Sequence, residues 1–236
     1  MNAPLPLTGE RTVPGIAREQ YWFARHEVVY RWVADRCAGQ TVLEAGSGEG
    51  YGAELLRRAG ARVIALDYDT AAIAHSARTY RLPHVQANLA ALPLRSVDAV
   101  VSLQVVEHLW DLRGFLAEIR RTAGWTCLST PNRLTFSPGL ERGRKPTNPF
   151  HVEEFDAQQL AAMMTGAGFS DVTILGVHHG ARLRRRPNLI AEQIAAALSD
   201  TWPAELEEFV STVTVDDFVI SPEDLDTSLD LVVLAR

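Results

Sequence analysis

The stretch VLEAGSGEGYGAELLRRAG, residues 42–60, decides the fold. It opens on a short apolar run of strand type, places glycines at 46, 48 and 50, and continues as a helix-forming segment that stops at Gly60. A strand, a tight turn and a helix in that order aim backbone N–H groups at whatever ligand lies beyond the strand, and the missing side chains let it come close. Two common readings of such a turn fail on spacing. A dinucleotide site wants G-x-G-x-x-G, whereas Gly46, Gly48 and Gly50 alternate, and a Walker loop ends in Gly-Lys-Ser/Thr, for which there is no lysine here. What remains is E-x-G-x-G-x-G from Glu44 to Gly50, whose carboxylate opposes a pyrophosphate and suits a ligand bearing cationic groups.

Outward from this turn, the apolar runs TVLEA, ARVIALDY, HVQAN, VDAVVSLQVV, WTCLST, VTILGV and LDLVVLA suit buried strands, with helical segments between most of them. Upstream, EQYWFARHEVVYRWVADRC puts Tyr21, Val28, Trp32 and Val33 on one helical face. The segment before VTILGV has capping-box spacing at Asp156 and Gln159, an apolar face beginning at Leu160 and Met163, and a stop at Gly166 and Gly168, so Met163 and Met164 read as core filler. Repeated βα units predict an α/β fold: a doubly wound, mostly parallel, seven-stranded sheet whose ligands gather at the carboxyl ends of the strands. The expectation is a single domain over residues 1–236, with residues 182–226 a helical insertion or lid before the last strand, built from NLIAEQIAAALSD and PAELEEFVSTV.

Composition bounds the function. A chain of 236 residues with 47% apolar content buries one substantial core, and a net charge of -6 argues against a surface that coats nucleic acid. Cys37 and Cys127 are far apart and lack metal-type spacing, which points to two reduced, buried thiols. No run has signal-peptide character or approaches the roughly 20 apolar residues of a membrane span, so a cytoplasmic protein with no membrane partner is expected.

With VIALDYD added to the glycine turn, the sequence resembles the class I S-adenosylmethionine-dependent methyltransferases from about Glu19 to the end. The resemblance implies that S-adenosyl-L-methionine is held by Glu44, Gly46, Ser47, Gly48 and Gly50, with Asp67 on the ribose hydroxyls and Tyr68 beside it. QANLAALPL resembles the adenine-reading segment, with Asn88 where an aspartate is more usual and Leu89 offering its amide. VSLQVVEHLWD, through Gln104, resembles the turn that passes the methionine part, and YWFARH resembles the segment near the methionine carboxylate, which makes Tyr21, Arg25 and His26 candidates. RRTAGW replaces a longer turn of many relatives, so the connection into the fifth strand should be tight.

For the acceptor, Glu107 and His108 follow the fourth strand, His151 and Glu154 the fifth, and His178 and His179 end the sixth. Transfer to a hydroxyl needs a nucleophile in line and a base for its proton. His151, with Glu153 and Glu154 near to orient it, and His108 are the candidate bases, and Glu107, His108 and His151 form a candidate Mg2+ site. TGERTVPG, LQVVEHLWD and STPNRLTFSPG...NPFHVEEF resemble the mycobacterial methyltransferases of polymethylated polysaccharide synthesis, including the mannoside 1-O-methyltransferases. That resemblance implies a small oligosaccharide acceptor, with Trp125, Phe136 and Phe150 as candidates to stack on or cover a pyranose; a homodimer stays open. The rival readings are an anionic acceptor such as an RNA end, gripped by Arg142, Arg144, Lys145 and Arg182, Arg184, Arg185, Arg186, and a cofactor-binding module without turnover.

Overall fold

The computed structural model describes residues 12–236. Helix α1 (Gln20–Cys37) precedes an alternating series: β1 (Thr41–Ala45), α2 (Tyr51–Arg58), β2 (Arg62–Asp67), α3 (Thr70–Thr79), β3 (His84–Gln86), β4 (Val97–Leu103), α4 (Leu112–Thr122), β5 (Ala123–Pro131), the short α5 (Arg133–Phe136), α6 (Ala157–Gly166) and β6 (Thr173–His179). Then come α7 (Leu189–Ser199), α8 (Ala204–Ser211), β7 (Phe218–Ser221) and β8 (Asp230–Ala235). The sheet order is β3-β2-β1-β4-β5-β8-β6-β7, with β1 to β5 paired in parallel and β8 running antiparallel between β5 and β6.

Among the described residues the sheet therefore has eight strands rather than seven. The extra strand is FVIS, Phe218–Ser221, which pairs antiparallel with β6 at the sheet edge. It lies inside the 182–226 insertion, so that segment is not wholly helical as expected. A four-residue edge strand with a half-exposed face has no long apolar run to announce it, and only its pairing with β6 makes it a strand.

Alternation along the strands supplies two core layers. Val42, Ala99, Val101 and Val232 face α1, α2 and α8. Leu43, Val100, Leu128, Leu231 and Val233 face α4 and α6. Both faces of the central strands are covered, which is why they read as unbroken apolar runs. The capping box of α6 forms as expected, Met164 is fully buried, and Cys37 and Cys127 are buried free thiols. α4 ends at Thr122 and β5 starts at Ala123, so the connection is as tight as RRTAGW implied. The first eleven residues, with the first half of TGERTVPG, lie outside the described residues. No described helix is long and apolar enough to cross a membrane.

This order puts a switch point between β1 and β4, where chain connections leave in opposite directions and open a crevice beyond the strand ends. The glycine turn leaves β1 there, and Gln104 leaves β4 beside it.

Candidate active site

The glycine turn is held by backbone groups. Gly46, Gly48 and Gly50 have φ of 81°, 48° and 83°, in the left-handed region that favours glycine. A Cβ on Gly46 would lie 2.6 Å from a Val105 methyl, and one on Gly50 1.8 Å from the Ser76 hydroxyl, so neither tolerates a side chain. The N–H groups of Gly46 and Ser47 donate to the Leu66 carbonyl, which ties the turn to β2. Asp67 completes the tie: one carboxylate oxygen accepts from the Gly48 N–H at 2.7 Å and the other from the Asp69 N–H at 2.9 Å. Tyr68, next along, is exposed. On the neighbouring strand Asp67 pairs with Gln86, and two residues on Asn88 turns its side chain back to the Ala90 N–H while Leu89 is buried. The expected ribose and adenine residues are thus gathered at adjacent strand ends.

Glu44 takes a different place from the one its position in the turn suggested. Its carboxyl is buried between α1 and the start of α2, where it accepts from the Tyr30 hydroxyl at 2.7 Å and would collide with any Cβ on Gly52. Burial pushes its pKa up to about 8, with the Tyr30 and Ala53 hydrogen bonds offsetting only part. Its hydrogen bond to Tyr30 makes Glu44 a buried strut under the turn, and burial disfavours the charged form that a cationic ligand would pair with.

Across the switch point, side chains dominate. Gln104 has φ of 58°, a conformation that costs a non-glycine residue about 1–2 kcal/mol. It is held by its backbone N–H on the Ser129 carbonyl and by its amide on Ser129 Oγ and Asp230 Oδ1, each of these last at 3.2 Å. Asp230 in turn forms a buried ion pair with Arg25, whose Nε lies 2.5 Å from Oδ2 and whose Nη2 donates to Oδ1. The guanidinium also lies over the rings of Phe136 and Trp22, at 4.5 and 5.4 Å from their centroids. Arg25 was expected at the methionine carboxylate, but Asp230 already neutralises its charge. Tyr21, expected there too, is fully buried with its hydroxyl 2.6 Å from His179 Nε2. His26 is pushed down to about 4 by burial and by the neighbouring Arg25 charge, which leaves it neutral.

The 3-10 turn Val106–His108 then carries Glu107 and His108 against the segment 148–154. The Val152 N–H donates to the Glu107 carbonyl at 2.7 Å, and His108 Nδ1 meets the Phe150 carbonyl at 3.0 Å. The two imidazoles are edge to face, 5.0 Å between centroids. His151 is buried, with Nδ1 2.6 Å from Glu154 Oε1 and Nε2 3.1 Å from the Asn148 amide nitrogen. Because a carboxylate only accepts, Nδ1 carries the proton and Nε2 holds the lone pair. Of the two neighbouring acids, Glu154 and not Glu153 orients the ring. Glu107 is buried and pushed up to about 8 by burial, and its Oε2 has no hydrogen-bond partner. Donor atoms of Glu107, His108 and His151 all lie within 4.8 Å of one another, and both imidazoles are oriented through Nδ1 by an outer acceptor, as metal-binding histidines commonly are. This geometry fits a divalent cation.

A domain model for methyltransferases matches residues 43–123, from β1 through the start of β5. The chain is 50% identical over 250 residues to a probable S-adenosylmethionine-dependent methyltransferase of Mycolicibacterium smegmatis (strain ATCC 700084 / mc(2)155), spanning all of this chain and 96% of that one. It belongs to the S-adenosylmethionine-dependent methyltransferases. A probable S-adenosylmethionine-dependent methyltransferase of Mycobacterium tuberculosis (strain ATCC 25618 / H37Rv) is 47% identical, with 99% and 90% of the two chains covered. Among solved structures, a methyltransferase of Mesorhizobium loti superposes with a TM-score of 0.60 at 17% identity, over 92% of this chain and 99% of that one. The [4+2]-cyclase SpnF superposes at 0.58 with 18% identity, covering 88% of this chain and 80% of that one. The methyltransferase thus has the Rossmann-like class I fold, and the cyclase shows that this fold alone does not fix a reaction.

Two acceptor-side expectations change. Trp125 sits near the amino end of β5, its indole N–H on Gln40 at 2.8 Å, and lines a cavity of about 540 Å³ with Arg36 and Asp171 at the opposite end of the sheet from the methyltransferase's glycine turn. It cannot stack on an acceptor beside His151. Of the basic residues offered to an anion, Arg142 pairs with Asp156, Arg182 with Asp217, and Arg186 with Glu192, so these arginines serve the fold. His178 and His179 lie on β6, where His179 is pushed down to about 4 by burial and the Arg25 charge. Sequence reasoning missed Asp230, Asn148 and Ser129; only Asp230, an acid opening a wholly apolar strand, carried a signal of any kind.

Proposed function

We propose that this methyltransferase moves a methyl group to a sugar hydroxyl, the anomeric 1-OH of a short, partly methylated mannoside, in the cytoplasm. The observation that carries the reading is the buried His151–Glu154 pair, 2.6 Å from Nδ1 to carboxylate, with Nε2 held by nothing stronger than the neutral Asn148 amide. S-adenosylmethionine supplies an electrophilic methyl on a sulfonium. An acceptor hydroxyl displacing the Asn148 contact would give its proton to His151 Nε2 as its oxygen takes the methyl, the methyl–sulfur bond breaking with its electron pair left on S-adenosylhomocysteine, and Glu154 would stabilise the imidazolium. An anomeric hydroxyl is the most acidic of a sugar, so an imidazole is a sufficient base. His108, fixed at right angles to His151, is placed to accept from a neighbouring hydroxyl.

A second reading of the same residues has a specific support, the partnerless Oε2 of Glu107. Glu107, His108 and His151 would hold a divalent cation that acidifies the acceptor hydroxyl directly. Mg2+ prefers more oxygen than one carboxylate and two imidazoles offer, so waters would complete its shell, while Mn2+ or Zn2+ accepts the nitrogens more readily.

The test is cofactor turnover over a panel of neutral mannosides, glucosides and short RNAs, with the product located by NMR. A methyl on a mannoside oxygen supports the proposal; methylation of RNA alone, or no turnover on any acceptor, overturns it. Chelation followed by separate addition of Mg2+, Mn2+ and Zn2+ decides the second reading, because full turnover after chelation leaves His151 as an unassisted base.

A further inference from the structure

Three aromatic side chains stand out among the described residues for being large and exposed: Tyr68, Trp110 and Phe150. Tyr68 directly follows β2, Trp110 lies between β4 and α4, and Phe150 lies in the long segment between α5 and α6, where its carbonyl meets His108. Tyr68 adjoins the cofactor residue Asp67. The other two flank the histidine pair, since Trp110 follows His108 by two residues and Phe150 precedes His151 by one.

Trp110 is 91% exposed although its backbone is pinned on both sides. The His108 N–H donates to the Val105 carbonyl, and the Asp111 side chain caps α4 by accepting from Gly114 at 2.9 Å. Phe150 is anchored likewise, its N–H on Asn148 Oδ1 and its carbonyl on His108 Nδ1. An indole left in water forgoes the stabilisation that burying so large an apolar side chain brings. A single exposed apolar side chain would mean little, but two anchored aromatics tied to one another through His108 form a built edge of the site.

The charges around them choose the occupant. Residues 105–114 carry Asp111 at the surface against one cation, Arg113, and residues 148–155 carry Glu153 and Glu154 with no Lys or Arg. A phosphate-bearing acceptor is repelled there, whereas a neutral ring with one apolar C–H face is not. Resting on the sugar reading above, we propose that Trp110, with Phe150 beside it, is the stacking platform for a pyranose ring of the acceptor, and that it sets acceptor specificity without touching the cofactor. A methoxy group on that ring enlarges the apolar face and strengthens the stack.

The experiment uses the full chain and the variants Trp110→Ala and Trp110→Phe. Turnover is measured on a mannobiose with a free reducing end, and binding of methyl mannoside, whose blocked 1-OH makes it a non-reacting probe, by calorimetry. Trp110→Ala should raise the acceptor KM and the probe Kd roughly three- to tenfold, with kcat and the Kd for S-adenosylhomocysteine unchanged, and Trp110→Phe should recover most of the loss. Unchanged KM and probe Kd in Trp110→Ala, with a wild type active on mannosides, overturns the platform and leaves the sugar reading standing. A wild type that methylates no mannoside overturns both.

Discussion

At the ends of β1, β2 and β3 the site is built by neighbours in sequence, and at the ends of β4, β5 and β8 by residues from the whole chain. The Gly48 contact to Asp67 spans 19 residues, and that from Asn88 to Ala90 spans two. On the other side His108 meets Phe150 across 42 residues, Gln104 meets Asp230 across 126, and Arg25 meets Asp230 across 205. The first half works mainly through backbone N–H groups that glycine exposes, and it needs few particular side chains. The second works through buried ionisable groups, each of which is costly unless its partner is in place. The cofactor half should therefore answer to substitutions in affinity, and the acceptor half in turnover or in stability.

The largest effect that checks this division is at His151. His151→Ala should lower turnover by roughly 10² to 10⁴ while leaving the calorimetric Kd for S-adenosylhomocysteine nearly unchanged. A matching loss of cofactor affinity would show that the two halves are one unit. His108→Ala is the comparison: if it abolishes turnover while His151→Ala keeps it, the base moves to the turn after β4.

Asp230 comes next. Asp230→Ala leaves the Arg25 charge buried without its partner and Gln104 without a holder, so urea unfolding should register a loss of about 3–5 kcal/mol. Loss of under 1 kcal/mol would mean that the pair is relieved by solvent and does not brace the acceptor half.

Asp67→Ala tests the other side. Removing a carboxylate that both steadies Gly48 and sits where the ribose is expected should weaken S-adenosylhomocysteine binding by about one to two decades, or roughly 2–3 kcal/mol. A folded variant with wild-type affinity takes Asp67 out of the cofactor site.

The smallest effect concerns Glu44. Burial raises its pKa from 4.5 to about 8, so the folded chain retains a proton that the unfolded chain releases in between. Stability from this group is greatest below pH 4.5, declines as pH rises toward 8 and is level above. Glu44→Gln, neutral at every pH, should therefore lose less Tm than the wild type between pH 5 and pH 8.5. Parallel Tm profiles would place Glu44 among ordinary ionised carboxylates and restore it as a counter-charge at the turn.

What the amino-acid sequence determined by itself was whatever depends on local pattern. Strand and helix periods predicted seven strands and the helices at α1, α2, α6, α7 and α8, the spacing of Gly46, Gly48 and Gly50 excluded two ligand classes, and Asp67 at a strand end fell into place beside the turn, because backbone conformation and burial period are set within a few residues. Tertiary structure alone decided which buried charge meets which. It gave Asp230 to Arg25, Glu154 rather than Glu153 to His151, and a pairing partner to the four-residue β7, and it sent Trp125 to the far end of the sheet. Glu44 shows the physical reason most clearly. The same residue in the same motif is an anion or a neutral strut according to how much water reaches it, and that depends on the packing of α1 and α2 over it.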